Sequence, residues 1–178
     1  MIKSSYFPER DQELSALCST DPRINIINQH LDEQQLLGLF AYAKCLVAPS
    51  RSEGFGMPGL EAAACGLPIV GVNYSGQTEY FRHLEGSLIA IDFDLIESTD
   101  TDFVRIYGND FGETSFGTWA EPSVEDLILG LRRVFTNYDQ LRLKAITNAK
   151  LIIEHYSWTE TSKKTKAALN DLWVSKRP

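Results

Sequence analysis

Pro49-Ser50-Arg51-Ser52-Glu53-Gly54-Phe55-Gly56-Met57-Pro58-Gly59-Leu60-Glu61-Ala62-Ala63-Ala64-Cys65-Gly66-Leu67-Pro68 is the stretch around which the rest of the chain can be organised. Cys45-Leu46-Val47-Ala48 before it and Ile69-Val70-Gly71-Val72 after it read as buried strands. Between them, a turn with two glycines feeds directly into a helix expected from about Met57 to Cys65, stopped by Gly66-Leu67-Pro68. The free N–H groups of Gly56 and Met57 are expected to point out of the helix start. Together with the helix dipole, they make a site suited to phosphate. Gly54 and Gly56 let the backbone approach a ligand closely, because no Cβ intervenes. Pro58 suits the first helical turn, where a missing N–H costs least.

Glu53 and Glu61 flank this turn with seven residues between them. Glu53 sits before the turn and Glu61 about one helical turn in, so both can face one cleft. A carboxylate accepts hydrogen bonds only, and a bidentate one can hold two adjacent hydroxyls of a ribose or a hexose. Each acid taken singly also has a plain structural reading. The macrodipole favours Glu61 near a helix start without any ligand, and Glu53 can be an ordinary turn residue. The combination is what points to a pyrophosphate over the helix start, a sugar at Glu53 and a ribose at Glu61.

Outward from this stretch, short apolar runs alternate with amphipathic stretches. Ile2 to Tyr6 reads as the end of a strand, residues 8–20 as a helix and Ile24 to Ile27 as a short strand. Asp32 and Gln35 form a capping-box pattern for a helix with Leu36, Leu37, Phe40 and Tyr42 expected on its packed side. Gln77 to His83 is a short helix and Ser87 to Ile91 a further strand. Strands alternating with helices imply an α/β fold, a parallel sheet covered on both faces. Residues 92–122 break the rhythm, with eight acids against one base, Arg105, and with Phe103, Tyr107, Phe111, Phe116 and Trp119. They read either as a solvated loop pinned by aromatics or as a flap over the substrate cleft. Ser123 opens the first of the C-terminal helices (123–175), a second spans about 138–155, and Ser157 with Glu160 caps the last. The last helix ends in Lys163, Lys164, Lys166, Lys176 and Arg177, a solvated face that is also compatible with peripheral contact with an anionic membrane.

The 178 residues carry a net charge of −7, with a pI near 5.0. That balance argues against a nucleic-acid partner, which needs clustered Lys and Arg. Cys18, Cys45 and Cys65 show neither disulfide nor metal spacing and read as reduced, which fits the cytoplasm. His30, His83 and His155 are scattered. No apolar run approaches the length of a membrane span, and the N-terminus does not read as a secretory signal.

The central stretch resembles the E-x7-E motif of retaining GT-B glycosyltransferases of the GT4 type (glycosyl transferases group 1), in the form E-G-F-G-x-P-x-x-E followed by A-x-A-x-G-x-P. Ser75-Gly76-Gln77-Thr78-Glu79 and Tyr156-Ser157-Trp158 also look like family features, and the resemblance covers roughly residues 10–175. It implies the C-terminal, sugar-nucleotide-binding half of the GT-B architecture, a Rossmann-like three-layer α/β/α domain. It implies that Glu53 contacts the donor sugar as the catalytic residue, that Glu61 binds the ribose, and that the backbone at Gly54, Phe55, Gly56 and Met57 contacts the sugar and diphosphate. It further implies transfer of a hexose with retention, from a UDP-, GDP- or dTDP-linked donor, with no metal and no other cofactor. The acceptor is left open between polysaccharide, glycolipid and protein.

The family pattern also includes an N-terminal acceptor domain and an Arg and a Lys after the first strand of the nucleotide domain. Lys3 and Arg10 stand in the wrong context for that pair. In the family strand order 3-2-1-4-5-6, Ile2–Tyr6 and Ile24–Ile27 correspond to strands 2 and 3, and Cys45–Ala48 to strand 4. The expectation is therefore a partial domain over residues 1–178 that lacks its first strand and has an unpaired strand edge. Such a chain would be unstable alone, dimerise through the gap, or be completed by a partner chain that supplies the missing strand and the acceptor domain. The alternatives are thus a non-catalytic nucleotide-sugar-binding subunit or an inactive truncated fragment. A GT-B epimerase or a phosphorylase-like enzyme does not share the E-G-F-G-M-P context. A Rossmann dehydrogenase would need a G-x-G-x-x-G after a strand.

Overall fold

A computed structural model of the chain describes residues 2, 3, 16, 18–98 and 117–175. The chain divides into two units, Met1–Leu39 and Phe40–Pro178. In the first, β1 (Ile2–Lys3) pairs in parallel with β2 (Ile26–Ile27), Ile2 opposite Ile26. This is the parallel neighbour relation expected for these two runs. Residues 16 and 18–20 are helical, and the rest of the 8–20 helix lies outside the described residues.

Helix α1 (Glu33–Tyr42) follows. Its capping box forms as the spacing predicts. The Gln35 N–H donates to Asp32 Oδ1 at 2.8 Å, and the Asp32 N–H donates to Gln35 Oε1 at 3.0 Å. Its packed side is narrower than the sequence suggests. Phe40 is buried, whereas Leu37 and Tyr42 are exposed.

The second unit is built on β3 (Leu46–Ala48), β4 (Ile69–Val72) and β5 (Leu88–Ile91), a parallel sheet in that order. Leu46 lies opposite Ile69, and Ile69 opposite Leu88. Among the described residues, β3 pairs on one side only, with β4. The strand β4 is buried throughout, and its alternate side chains serve two cores. Ile69 packs with Leu60 and Ala63 of α2 (Met57–Ala64), Tyr80 and Phe81 of α3 (Thr78–Phe81), Leu84, and Ile152 of α5 (Tyr138–Tyr156). Val70 and Val72 pack with Ile89, Ile91, Ala120, Val134 of α4 (Val124–Thr136) and Leu141. Helices thus cover both faces of a parallel sheet, as the alternation of runs predicts, and the arrangement is the Rossmann-like α/β class that the resemblance implies.

The described ends of the 92–122 segment are strands, and residues 99–116 between them lie outside the described residues. β6 (Phe93–Glu97) pairs antiparallel with β7 (Thr118–Pro122), Phe93 opposite Pro122 and Glu97 opposite Thr118. Phe103, Tyr107, Phe111 and Phe116 lie outside the described residues. The ribbon is tied to α4 at its root. The Asp92 N–H donates to Asp126 Oδ2 at 2.8 Å, and the Ser123 N–H donates to the Asp92 carbonyl at 2.8 Å. Ser123 caps α4 by accepting from the Asp126 N–H at 3.1 Å, and Ser157 does the same for α6 (Trp158–Ser175) through the Glu160 N–H at 3.3 Å. Among the described residues, no helix is long and apolar enough to cross a membrane.

Candidate functional site

The turn between β3 and α2 takes the shape that its glycines allow. Gly56 is the residue that caps α2, with φ 76° and ψ 51°, a left-handed backbone that favours glycine. Pro58 stands in the first turn, as expected. The Gly56 carbonyl accepts from the N–H groups of Gly59 (2.9 Å) and Leu60 (3.2 Å), which starts the helix. The N–H groups of Gly56 and Met57 donate to no group among the described residues. They are the donors that a helix start leaves open to an anion.

Tyr80 supports the turn from below. Its side chain is fully buried, and its hydroxyl donates to the Gly56 carbonyl at 2.8 Å. Gly59 makes room for it, because a Cβ on that residue would lie 2.2 Å from the Tyr80 oxygen. Burial pushes the Tyr80 phenol well above the usual tyrosine range, and the negative charge of Glu53 adds to the shift. The phenol therefore stays protonated and keeps its donor. Phe55 packs over this support, its ring centre 5.7 Å from that of Tyr80 and 6.1 Å from that of Tyr156.

Glu53 is half-buried in the loop before the turn, and Glu61 is half-buried one turn into α2. Ser50 Oγ donates to Glu53 Oε1 at 2.8 Å. The backbone of Glu53 is engaged by Ser75 and Gly76, which belong to the 3₁₀ turn (Ser75–Gln77) after β4. The Glu61 carboxylate has no hydrogen-bond or ion-pair partner among the described residues. It raises the pKa of the neighbouring Cys65 thiol, an effect secondary to that of burial. Gly54 and Met57 are exposed, Phe55 is half-buried and Gly56 is buried. The six residues singled out from the sequence thus belong to one continuous element, a strand end, turn and helix start.

The β6–β7 ribbon reaches this element. The Ala120 N–H donates to the Arg51 carbonyl at 3.1 Å, and Arg51 Nε lies 2.5 Å from Glu121 Oε2. The Arg51 guanidinium stands 5.8 Å from the centre of the Trp119 ring. On the other side, the Tyr74 hydroxyl donates to the Thr118 carbonyl at 3.3 Å, and the Tyr74 ring packs 5.5 Å from that of Phe93. The root of the insertion is therefore attached to the residues that flank the Glu53 loop and the Ser75 turn. Arg51, Tyr74 and Tyr80 are contributors that sequence reasoning missed, since none belongs to the motif pattern. The 75–79 run was visible as a family-like feature, but not its contact with Glu53. Among the described residues, no three His, Cys, Asp or Glu side chains group at metal-ligand spacing.

The element lies within the part of the chain that matches a known family. Residues 12–97 match the family model described as glycosyl transferases group 1. Over 69 residues the chain is 36% identical to a D-inositol 3-phosphate glycosyltransferase of Arthrobacter sp. (strain FB24), a match covering 38% of this chain and 16% of that protein. Over 81 residues it is 42% identical to the O-antigen chain mannosyltransferase B of Escherichia coli, covering 44% of this chain and 21% of that protein. Over 50 residues it is 48% identical to a glycogen synthase of Mycobacterium tuberculosis (strain ATCC 25618 / H37Rv), covering 28% of this chain and 12% of that protein. The matched stretches are thus a minor part of each relative's length. The segment that holds Glu53, the glycine turn and Glu61 is similar to the group 1 glycosyl transferases.

Proposed function

We propose that this chain carries the donor site of a retaining GT4-type glycosyltransferase and binds a nucleotide-diphosphate hexose. The observation that carries the reading is the coincidence of the group 1 match over 12–97 with a glycine turn whose open N–H groups start α2. In this reading the diphosphate lies over the start of α2, held by the backbone at Gly54, Phe55, Gly56 and Met57. The N–H groups and the helix dipole stabilise the negative charge that develops on the departing diphosphate, with no metal required. Glu61, whose carboxylate is unengaged, accepts from the two ribose hydroxyls. Glu53 contacts the hexose and acts as the catalytic carboxylate, with one oxygen already held by Ser50.

The hexose, the base and the acceptor belong to the same proposal, as does any partner chain that brings the acceptor site. The reading is tested by saturation-transfer NMR on the purified chain with UDP, GDP and dTDP and their hexose conjugates, with Glu61→Ala as control. Transfer to one nucleotide that is lost in the variant supports the site and names the base. A folded wild-type chain that shows transfer to none of them sinks it.

A further inference from the structure

The backbone of Glu53 is held by residues more than twenty positions later in the chain. The Glu53 N–H donates to Ser75 Oγ at 2.7 Å, and the same hydroxyl donates to the Glu53 carbonyl at 2.8 Å. The Gly76 N–H donates to that carbonyl as well, at 3.0 Å. Both peptide groups around one α-carbon are engaged at once, and Ser50 fixes one oxygen of the side chain they carry. The approach is close, since a Cβ on Gly76 would lie 2.0 Å from the Gly54 carbonyl oxygen.

Ser75 makes these bonds from a strained backbone. With φ 58°, it is the one non-glycine residue in the left-handed region among the described residues. Such a conformation is unfavourable for any residue with a Cβ, and it persists where the surroundings over-determine it. A glycine would take this φ without strain but could not bridge the two peptide groups. The turn is fixed on its far side too, by the Thr78 hydroxyl donating to the Ser75 carbonyl at 2.7 Å and by the buried Gln77 amide donating to the Val72 carbonyl. It is therefore a rigid abutment for Glu53.

We infer that Ser75 is a positioning residue for Glu53: its hydroxyl sets the backbone at residue 53, and with Ser50 the carboxylate direction, for contact with the hexose of a donor. The inference rests on the donor-site reading above. Ser75 acts through Glu53 and does not itself touch the nucleotide. Its loss therefore affects the sugar-bearing ligand and spares the free nucleotide.

The test uses the full chain, wild type and Ser75→Gly, which accommodates the left-handed backbone and removes the hydroxyl together with its Cβ. Each is titrated calorimetrically with UDP, GDP and dTDP and with UDP-glucose, GDP-mannose and dTDP-glucose. For the base that binds, Ser75→Gly should weaken the nucleotide sugar about tenfold, the scale of one lost hydrogen bond, and change the free diphosphate by less than about twofold. Equal losses for both ligands, or no loss for either, would overturn the inference. Amide hydrogen exchange on the free chain gives a second, ligand-independent readout. The Glu53 amide should exchange about tenfold faster in Ser75→Gly, with the buried Ile69 amide unchanged. An unchanged Glu53 amide overturns the clamp whatever the titrations give. A wild-type chain that binds none of the six ligands, while the Glu53 amide responds as expected, overturns the donor-site reading and with it the role toward a sugar, so the two failures are told apart.

Discussion

The hydroxyl of Tyr80 sits under the Gly56 carbonyl at 2.8 Å, in space that a side chain on Gly59 would fill. Tyr80→Phe should destabilise the chain by about 0.5–1.5 kcal/mol, because the Gly56 carbonyl loses one of its three donors and keeps the N–H groups of Gly59 and Leu60. Gly59→Ala should destabilise it further, since the new methyl would lie 2.2 Å from the phenol oxygen. The double variant should recover part of that loss, because removing the oxygen leaves the ring carbon at 3.2 Å as the nearest atom. Urea unfolding of the three variants checks this, and strict additivity would contradict the close contact.

The two acids should separate by ligand. Glu61→Ala should weaken free nucleotide by about 1–3 kcal/mol, the range for a lost charge-assisted hydrogen bond. Glu53→Ala should spare free nucleotide and weaken the sugar-bearing donor. Titration of both variants with both ligands decides it, and equal losses for the two ligands in Glu53→Ala would exclude the sugar assignment.

Arg51 and Glu121 join the ribbon to the Glu53 loop through an ion pair whose side chains are 46% and 41% exposed. Solvent at that exposure screens the pair, so a double-mutant cycle should give a coupling below about 1 kcal/mol. The coupling should shrink further on going from low to high salt. A coupling of several kcal/mol, indifferent to salt, would mean that the ribbon is anchored far more rigidly than this contact allows.

His83 should make the fold sensitive to acid. Burial lowers its pKa below the ordinary 6.5, and the stacked His155 and the adjacent Arg82 lower it further against the opposing charge of Glu79. The folded state therefore binds this proton less readily than the unfolded one. The resulting stability is present above the unfolded pKa near 6.5 and is lost as pH falls through the lower folded value. Melting temperatures between pH 7.5 and 5, about one to two units either side of an ordinary histidine, should fall less steeply in His83→Gln than in wild type. Parallel curves would assign the acid response to other groups.

Much of this was legible in the sequence because it is local. The caps at Asp32, Ser123 and Ser157 depend on residues three apart, and all three form. The turn before α2 depends on Gly56 and Pro58 themselves. What the sequence concealed is non-local or two-sided. The ribbon β6–β7 joins strands separated by residues 98–117, and Leu95 and Ile96 on β6 face solvent, so no apolar alternation marks it. The grip of Ser75 on Glu53 needs two loops that β4 brings together, and no pattern around either residue announces it. Leu37 and Tyr42 were expected on the packed side of α1 and are exposed, since periodicity tells which residues share a face but not how much of that face is covered.

Arg142 reaches from α5 to the far end of α2, where its guanidinium donates to the carbonyls of Cys65, at 3.2 Å, and Gly66. A cation there offsets the negative pole of the short helix, so the positive pole at Gly56 and Met57 stands without its counterpart. The chain around it carries −7. An approaching polyanion thus meets a repulsive far field and an attractive near one, the two exchanging dominance within about 10 Å at 0.1 M salt. Electrolyte shortens the first more than the second, which makes this a protein whose encounter with an anionic ligand should quicken, rather than slow, as ionic strength rises.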